Sequence, residues 1–308
     1  MQPFSVSVAV ERMAVIIVFL LIGAAAGRAR QDESTPSGVL DKVVLDWLLP
    51  ITILYNISDV TWRLHAVYVV GLCCVITVVD AILVVIACRL FHIDGIMKRT
   101  LLLVVPLGNT AYFGFAAVTA LLGSKFLPDA IIFDQIGTTL MLAIYGNAVA
   151  RASGGRASRE ELIGLLRFRP LWGFGVGVIL DASDVHLMSG STRVLGTAVS
   201  SALLPVAMLA LGSKLATKGL VVSCPVIIGV TIRVLVGPAI VVGVVAATTA
   251  SKAGVAGGLM QTAMPSMIAA ALLAERRGLA SREAYSLCAV GVVAACVVLP
   301  ALAWFLLR

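Results

Sequence analysis

A short polar motif interrupts one of the apolar stretches of this sequence. Gly108, Asn109 and Thr110 follow closely after Pro106, with apolar residues on both sides. Proline removes one backbone N–H donor and clashes with the preceding helical turn, and glycine lets the chain leave the helix. Asparagine and threonine then favour the start of a second helix as capping residues. The N–H groups and positive dipole end of such a helix attract negative charge, so the motif predicts an anion-binding site.

A second motif of the same character occurs further along the chain. Gln261, Thr262 and Ser266 lie around Pro265 in another apolar stretch. Their neutral donors and acceptors can form a second wall of the same anion site, although hydrogen bonding between packed helices accounts for them equally well. Two proline kinks in continuous helices are the alternative to two interrupted helices. Pure helix capping is the alternative role for the asparagine and threonine of the first motif.

Charged side chains inside apolar stretches form a third group of candidates. Arg233 can neutralise a bound anion or pair with an acid, and Asp80 can carry a proton or a sodium ion. A structural ion pair or a side chain that reaches toward the membrane surface is the alternative for both. Asp134 and Gln135 are further candidates for proton or ion coupling, since an acid among apolar residues can bind and release the proton that coupled transport requires. A solvated acid at a helix end is the alternative there.

The sequence contains no pattern typical of an enzyme. The hydrolase motif GxSxG, the zinc motif HExxH and the phosphate-binding loops are absent, and His65, His92 and His186 have no metal-ligand partner at helical spacing. The six cysteines fall in or beside apolar runs without a CxxC motif, which favours buried thiols. We therefore predict no catalytic site, no metal and no cofactor, and the missing nucleotide motif argues against an ATP-driven pump.

The composition places these motifs in a membrane. Of 308 residues, 60% are apolar and only 13% are charged, and the mean hydropathy is +1.06. Soluble domains are less apolar and carry about twice as much charge. Apolar runs predict ten transmembrane helices. In such a protein the net charge of +7 does not indicate a nucleic-acid partner, because basic residues usually record membrane orientation. The predicted spans are residues 8–27, 39–57, 64–88, 98–122, 128–150, 168–183, 190–212, 220–247, 255–275 and 284–306.

The basic residues predict the orientation of these spans. Most of the 23 lysines and arginines fall in alternate loops, counted from the N-terminus, which places those loops in the cytoplasm and both termini on the extracytoplasmic side of the inner membrane. The longest polar stretch, residues 151–169, is predicted to be a cytoplasmic connecting loop. It separates a first half of five helices, residues 1–150, from a second half, residues 170–308.

The two halves share a pattern that indicates an internal repeat. A series of apolar residues and a proline in span 2 recurs in span 7 with the same spacing, as Val39-Leu40, Leu48-Leu49-Pro50 and Leu54 against Val194-Leu195, Leu203-Leu204-Pro205 and Leu209. Because five spans is an odd number, the two copies must be inverted relative to each other. Inverted repeats with interrupted helices in corresponding positions, here spans 4 and 9, are typical of secondary transporters.

These residues together resemble the auxin efflux carrier family, and the likeness extends over essentially the whole chain. The segments that carry it are Pro106–Gly114, Ile132–Gly137, Leu203-Leu204-Pro205, and Ala263-Met264-Pro265 with Ala274-Glu275. The resemblance implies ten helices in two inverted five-helix repeats, with broken helices 4 and 9 that cross. Members move organic anions, including auxin in plants and malonate or malate in bacteria. Ala111 departs from the family, which has glycine there, and auxin is not implied as the substrate.

The sequence therefore predicts an all-α polytopic membrane protein that moves a small organic anion, a mono- or dicarboxylate, by alternating access. Its partners are the anion, membrane lipid and, for coupling, a proton or sodium ion, and a homodimer is left open. A sodium-coupled symporter of similar inverted-repeat fold is one alternative. A membrane receptor without transport activity is another, and an intramembrane enzyme lacks the paired residues that it would need.

Overall fold

The computed structural model describes residues 6–29, 36–57, 64–146, 148–149, 168–185, 187, 190–216, 220–248 and 255–307. Residues 151–167 of the predicted connecting loop lie outside the described residues. Within the described ranges the chain is helical, and its β-type pairing is a single bridge between Gly108 and Ser266. We number the helices α1 (Val6–Ala29), α2 (36–57), α3 (Leu64–Leu90), α4 (Gly95–Val104), α5 (Thr110–Leu121), α6 (Ser124–Gly146), α7 (Arg169–Ala182), α8 (Gly190–Ala216), α9 (Cys224–Thr248), α10 (Ala256–Thr262), α11 (Ile268–Arg276) and α12 (Ser281–Leu307).

Six helices within the described ranges are long and apolar enough to cross a membrane: α1, α3, α6, α8, α9 and α12. The fold is thus that of an all-helical, polytopic membrane protein. The predicted spans 4 and 9 are each divided into two shorter helices, α4 with α5 and α10 with α11. The count of ten spans, the inverted repeat and the division into two halves stay predictions.

The first of two helix groups is formed by α1, α2, α7 and α8, which we call the four-helix group. Helix α1 packs along α8, and α7 packs along α2. Both contacts depend on glycine, because small residues let helix backbones approach closely. A Cβ atom at Gly23 would lie 2.2 Å from the carbonyl oxygen of Leu209, and one at Gly173 would lie 2.4 Å from that of Pro50. Each pair therefore joins a helix of the first half to one of the second.

The remaining helices, α3–α6 and α9–α12, form a second group that we call the crossover group. Helix α3 packs against α6, α9 and α10, while α12 packs against α4, α9 and α11. The short helices α4, α5, α10 and α11 meet in its interior. Several of its polar residues lie in wide, π-helical turns, which are frequent at functional sites: Thr110–Gly114, Phe133–Thr138 and Ile232–Val236.

Candidate functional site

The two interrupted helices cross and hydrogen-bond to each other. The amide N–H of Asn109 donates to the carbonyl oxygen of Pro265 at 2.7 Å, and that of Met267 donates to Leu107 at 2.9 Å. These bonds form the bridge between Gly108 and Ser266. They pair the backbone N–H and C=O groups at the interruptions, because such groups could not remain unpaired in an apolar interior. Pro106 and Pro265 thus lie in real interruptions rather than in kinks of continuous helices.

A buried ion pair supports both interrupted helices at the crossing. The Nη1 atom of Arg233 lies 2.7 Å from Oδ2 of Asp80, and the side chains are 2% and 0% exposed. Arg233 also donates from Nε to the carbonyl oxygen of Met264 at 2.8 Å and from Nη1 to that of Pro106 at 3.4 Å. One guanidinium group therefore binds both interruptions and the acid. Of the alternatives that the sequence left open for Arg233 and Asp80, the structure contains the buried ion pair.

Two glycines make room for this pair. A Cβ atom at Gly108 would lie 2.1 Å from Nη2 of Arg233, and one at Gly237 would lie 1.9 Å from Oδ1 of Asp80. We attributed Gly108 to unwinding of the helix. The structure adds a steric reason, because the guanidinium group occupies the space that a side chain would need.

A Gly237→Ala substitution tests whether the tight contact at Asp80 stabilises the fold. We expect a loss of about 1–3 kcal/mol, because the new methyl group must displace a buried carboxylate that is held by Arg233. The measurement is the thermal unfolding of the purified protein in detergent. Gly243→Ala is the matched control in the same helix, since a Cβ atom there meets nothing within 4 Å. Alanine is the better helix former, so the control should be neutral or slightly stabilising. Equal melting temperatures for both variants would contradict the prediction.

A cavity of about 630 Å³ lies between the two helix groups and reaches the crossing. The four-helix group contributes residues of α2 and α8, and the crossover group contributes the crossing itself, α6 and α11. Its polar lining consists of Asp41, Asn109, Thr110, Tyr112, Asp134, Thr138, Thr139, Lys214 and Arg276. Apolar side chains, among them Leu45, Leu142 and Met267, form much of the remaining wall. This combination suits a small molecule with an apolar body and a few polar groups.

Asp134 and Thr110 form the polar end of the cavity at the crossing. The hydroxyl group of Thr110 donates to Oδ1 of Asp134 and lies 3.0 Å from the hydroxyl oxygen of Thr138. The side-chain amide of Gln135 donates to Oδ2 of Asp134 at 2.6 Å. Asp134 is buried, with 7% of its surface exposed, yet it lines the cavity. It is therefore not the solvated helix-end acid that was the alternative.

Asn109 lies beside this cluster at the start of α5. It occupies the N-cap position, but its side chain makes no capping hydrogen bond in the described structure. It is nearly buried and lines the cavity. It consequently borders the same cavity as Thr110 and Asp134.

The second motif lies behind the crossing and not in the cavity wall. The side-chain amide of Gln261 donates to the carbonyl oxygens of Thr110 at 2.9 Å and Ala130 at 3.3 Å, and Thr262 donates to Leu259 at 2.6 Å. Ser266 is buried in the bridge. In this conformation Met267 and Ile268 supply the wall that the motif was expected to form.

Four further residues of the cavity lining are not among the candidates that the sequence predicts. Lys214 lies 2.8 Å from Oδ2 of Asp41, and the hydroxyl group of Tyr112 donates to Oδ1 of Asp41 at 3.4 Å. Arg276, at the end of α11, is exposed. In the sequence, such basic residues indicate only the orientation in the membrane. No local pattern joins Asp41 to Lys214, which follows it 173 residues later.

Apolar helices, an interrupted crossing and a cavity between two helix groups are the features of a polytopic membrane protein with space for a small molecule. The family described as membrane transport protein matches residues 8–303, and the chain belongs to this family, the auxin efflux carriers. An uncharacterized transporter from Methanothermobacter thermautotrophicus is 27% identical over 250 residues, which are 79% of this chain and 79% of that protein. These similarities identify a membrane transporter and not an enzyme.

Proposed function

We propose that this protein is a secondary active transporter that moves a small carboxylate across the cytoplasmic membrane by alternating access. The observation that carries the proposal is the cavity between the two helix groups, which ends at Asn109 and Thr110. A site between two bundles becomes accessible from opposite faces when one bundle moves against the other. The four-helix group would stay in place while the crossover group carries the substrate.

The chemistry at the crossing supports an anionic substrate. Asn109 and Thr110 stand at the first turn of α5, where N–H groups and the positive end of the helix dipole favour negative charge. The amide group of Asn109 offers two donors to a carboxylate oxygen. Arg233 does not line this cavity, so we assign it to the support of the crossing rather than to substrate binding.

The position of the basic residues supports an inward-facing conformation. Lys214 and Arg276 line the cavity, and both belong to the loops or helix ends that the charge distribution predicts to be cytoplasmic. On the opposite side, Arg12 donates to the carbonyl oxygen of Ala120 at 2.7 Å and joins α1 to α5. This bond links the two helix groups and would have to break when the cavity opens outward.

The helix pairing also supports two inverted repeats. A repeat of five spans would relate α1 to α7 and α2 to α8. Under that relation the contact of α1 with α8 becomes the contact of α7 with α2, and both contacts are present. Asp80 and Arg233, which lie in the third helix of each half, join these two helices by an ion pair.

The decisive test of the function is counterflow in proteoliposomes. Liposomes that contain the purified protein are loaded with unlabelled malonate and placed in labelled malonate. The proposal expects uptake of the label above that of liposomes without protein, without ATP. Uptake equal to the protein-free liposomes for malonate and malate would contradict the transport of a small dicarboxylate.

Asp134 is the group that we propose for proton coupling. An ionised carboxylate beside Asn109 would repel an incoming anion, so the anion binds favourably only with a proton on Asp134. The charged groups around the same cavity are Asp41, Lys214 and Arg276, and Arg233 lies behind the crossing. The hydroxyl and amide donors that contact Asp134 hold it in position for this exchange.

An Asp134→Asn substitution separates coupling from binding. We expect wild-type uptake to be several-fold faster when the outside is acidic, because the proton gradient then drives the anion inward. The variant should keep counterflow but lose this acceleration, since a neutral amide carries no proton. The measurement is initial uptake of labelled malonate with and without a pH gradient. A variant that still responds to the gradient, or a wild type that responds only to a sodium gradient, would contradict the assignment.

A further inference from the structure

An anion in a largely apolar cavity requires a positive partner, and the proposed site at the crossing has no side chain that supplies one. Arg233 is the cation nearest to the crossing, but it binds Asp80 and two backbone carbonyls and has no place in the cavity lining. Among the described residues that line the cavity, the cationic side chains are Lys214 and Arg276. Among the described residues, these two are therefore the candidates for a side-chain counter-charge to the substrate.

Lys214 is placed better than Arg276 for this role. It belongs to the four-helix group and faces the crossover group across the cavity, whereas Arg276 ends α11 and is exposed. Tyr112, which contacts the partner of Lys214, is only two residues from Thr110 at the crossing. Lys214 and the polar residues at the crossing thus line the same cavity.

In the ion pair of Lys214 and Asp41, another carboxylate can replace Asp41 as the partner of the lysine. The pair is partly exposed, with 37% and 19% of the side-chain surfaces accessible, and exposed pairs contribute little to stability. Asp41 has a second partner in the hydroxyl group of Tyr112, at 3.4 Å. When Lys214 transfers to another carboxylate, Asp41 consequently keeps a hydrogen-bond donor.

We propose that Lys214 is a binding residue for a carboxylate of the substrate and that Asp41 competes with the substrate for it. This inference rests on the proposed function and specifies its substrate class. A dicarboxylate places one carboxylate at Asn109 and Thr110 and the other at Lys214. Such a molecule contacts both helix groups at once, so its binding is sensitive to their relative position. A monocarboxylate uses only one of the two ends and binds more weakly.

The test compares single substitutions by counterflow of labelled malonate, with the half-saturating concentration as the readout. Lys214→Gln should raise that concentration by roughly ten- to a hundredfold, because a charge-assisted hydrogen bond is lost. Lys214→Arg should restore a value near that of the wild type, since the charge remains. Asp41→Asn should lower the concentration, because the competing anion is gone.

The two substitutions act in opposite directions only if Lys214 binds substrate. If the pair merely joins α2 to α8, Lys214→Gln and Asp41→Asn should weaken transport alike and the double variant should recover, which would overturn the inference. Monomethyl malonate, which carries one negative charge, gives a second readout as a competitor. It should compete much less well than malonate in the wild type and nearly as well as malonate in Lys214→Gln.

A substitution at the crossing distinguishes a failure of this inference from a failure of the proposed function. If Asn109→Ala abolishes exchange while Lys214→Gln leaves it unchanged, the role of Lys214 is overturned and the proposed function stays in place. A wild-type protein that exchanges neither malonate nor malate would contradict the transport of a small dicarboxylate and, with it, the role of Lys214.

Discussion

Replacement of Asn109 by alanine is expected to reduce malonate exchange to that of protein-free liposomes at low malonate concentration. The side chain lines the cavity at the start of α5 and makes no capping hydrogen bond, and we propose that its donors bind the substrate. The loss of hydrogen bonds to a charged group corresponds to roughly ten- to a hundredfold in affinity. The measurement is counterflow of labelled malonate over a range of concentrations.

The fold should survive this substitution, because the backbone bond from Asn109 to Pro265 does not involve the side chain. Asn56→Ala is a matched control, since Asn56 is a buried asparagine of α2 outside the cavity lining. It bonds to Thr52 and Ser200 within the four-helix group, so its loss should affect the melting temperature more than the affinity. Wild-type exchange in Asn109→Ala would show that the crossing does not bind the substrate.

The second large effect is expected from breaking the ion pair of Asp80 and Arg233. Arg233→Gln leaves a buried carboxylate without its partner and also loosens the carbonyls of Met264 and Pro106. Removal of one member of a buried pair costs about 3–5 kcal/mol, because the remaining charge is uncompensated. We expect a large drop in the melting temperature and loss of exchange, measured on the same preparation.

The double variant Asp80→Asn with Arg233→Gln distinguishes support from substrate binding. It contains no unpaired charge, so stability should return in large part. In protein that remains folded, the half-saturating concentration of malonate should be near that of the wild type. A strong rise in that concentration at full stability would instead indicate that Arg233 binds the substrate, which is the other role that the sequence predicts for it.

Much of the fold followed from local composition. The apolar runs predicted a helical membrane protein, and Pro106 and Pro265 predicted interruptions where the chain leaves the helix. Prolines act on the backbone within one turn, so their effect can be read without knowledge of distant residues. The role of Gln261 could not be inferred in this way, because its partners Thr110 and Ala130 are more than a hundred positions away.

The candidate site was only partly accessible to sequence reasoning for the same reason. Asn109, Thr110 and Asp134 are polar residues in apolar stretches of the sequence. Such residues cost free energy in a membrane and therefore predict a functional site. Asp41 and Lys214 lie near helix ends, where charged residues are common and need no special explanation. Only their meeting at 2.8 Å beside the cavity distinguishes them.

The sequence by itself determined that this chain lies in a membrane and breaks two of its helices, since hydropathy and proline act over neighbouring residues. The tertiary structure alone decided what the charges do. Packing places Arg233 on Asp80 across 153 residues and Lys214 on Asp41 across 173, removing the first pair from solvent and leaving the second beside the cavity. The environment that makes one pair structural and the other exchangeable is created by distant helices, because the dielectric around a charge depends on all the atoms packed around it.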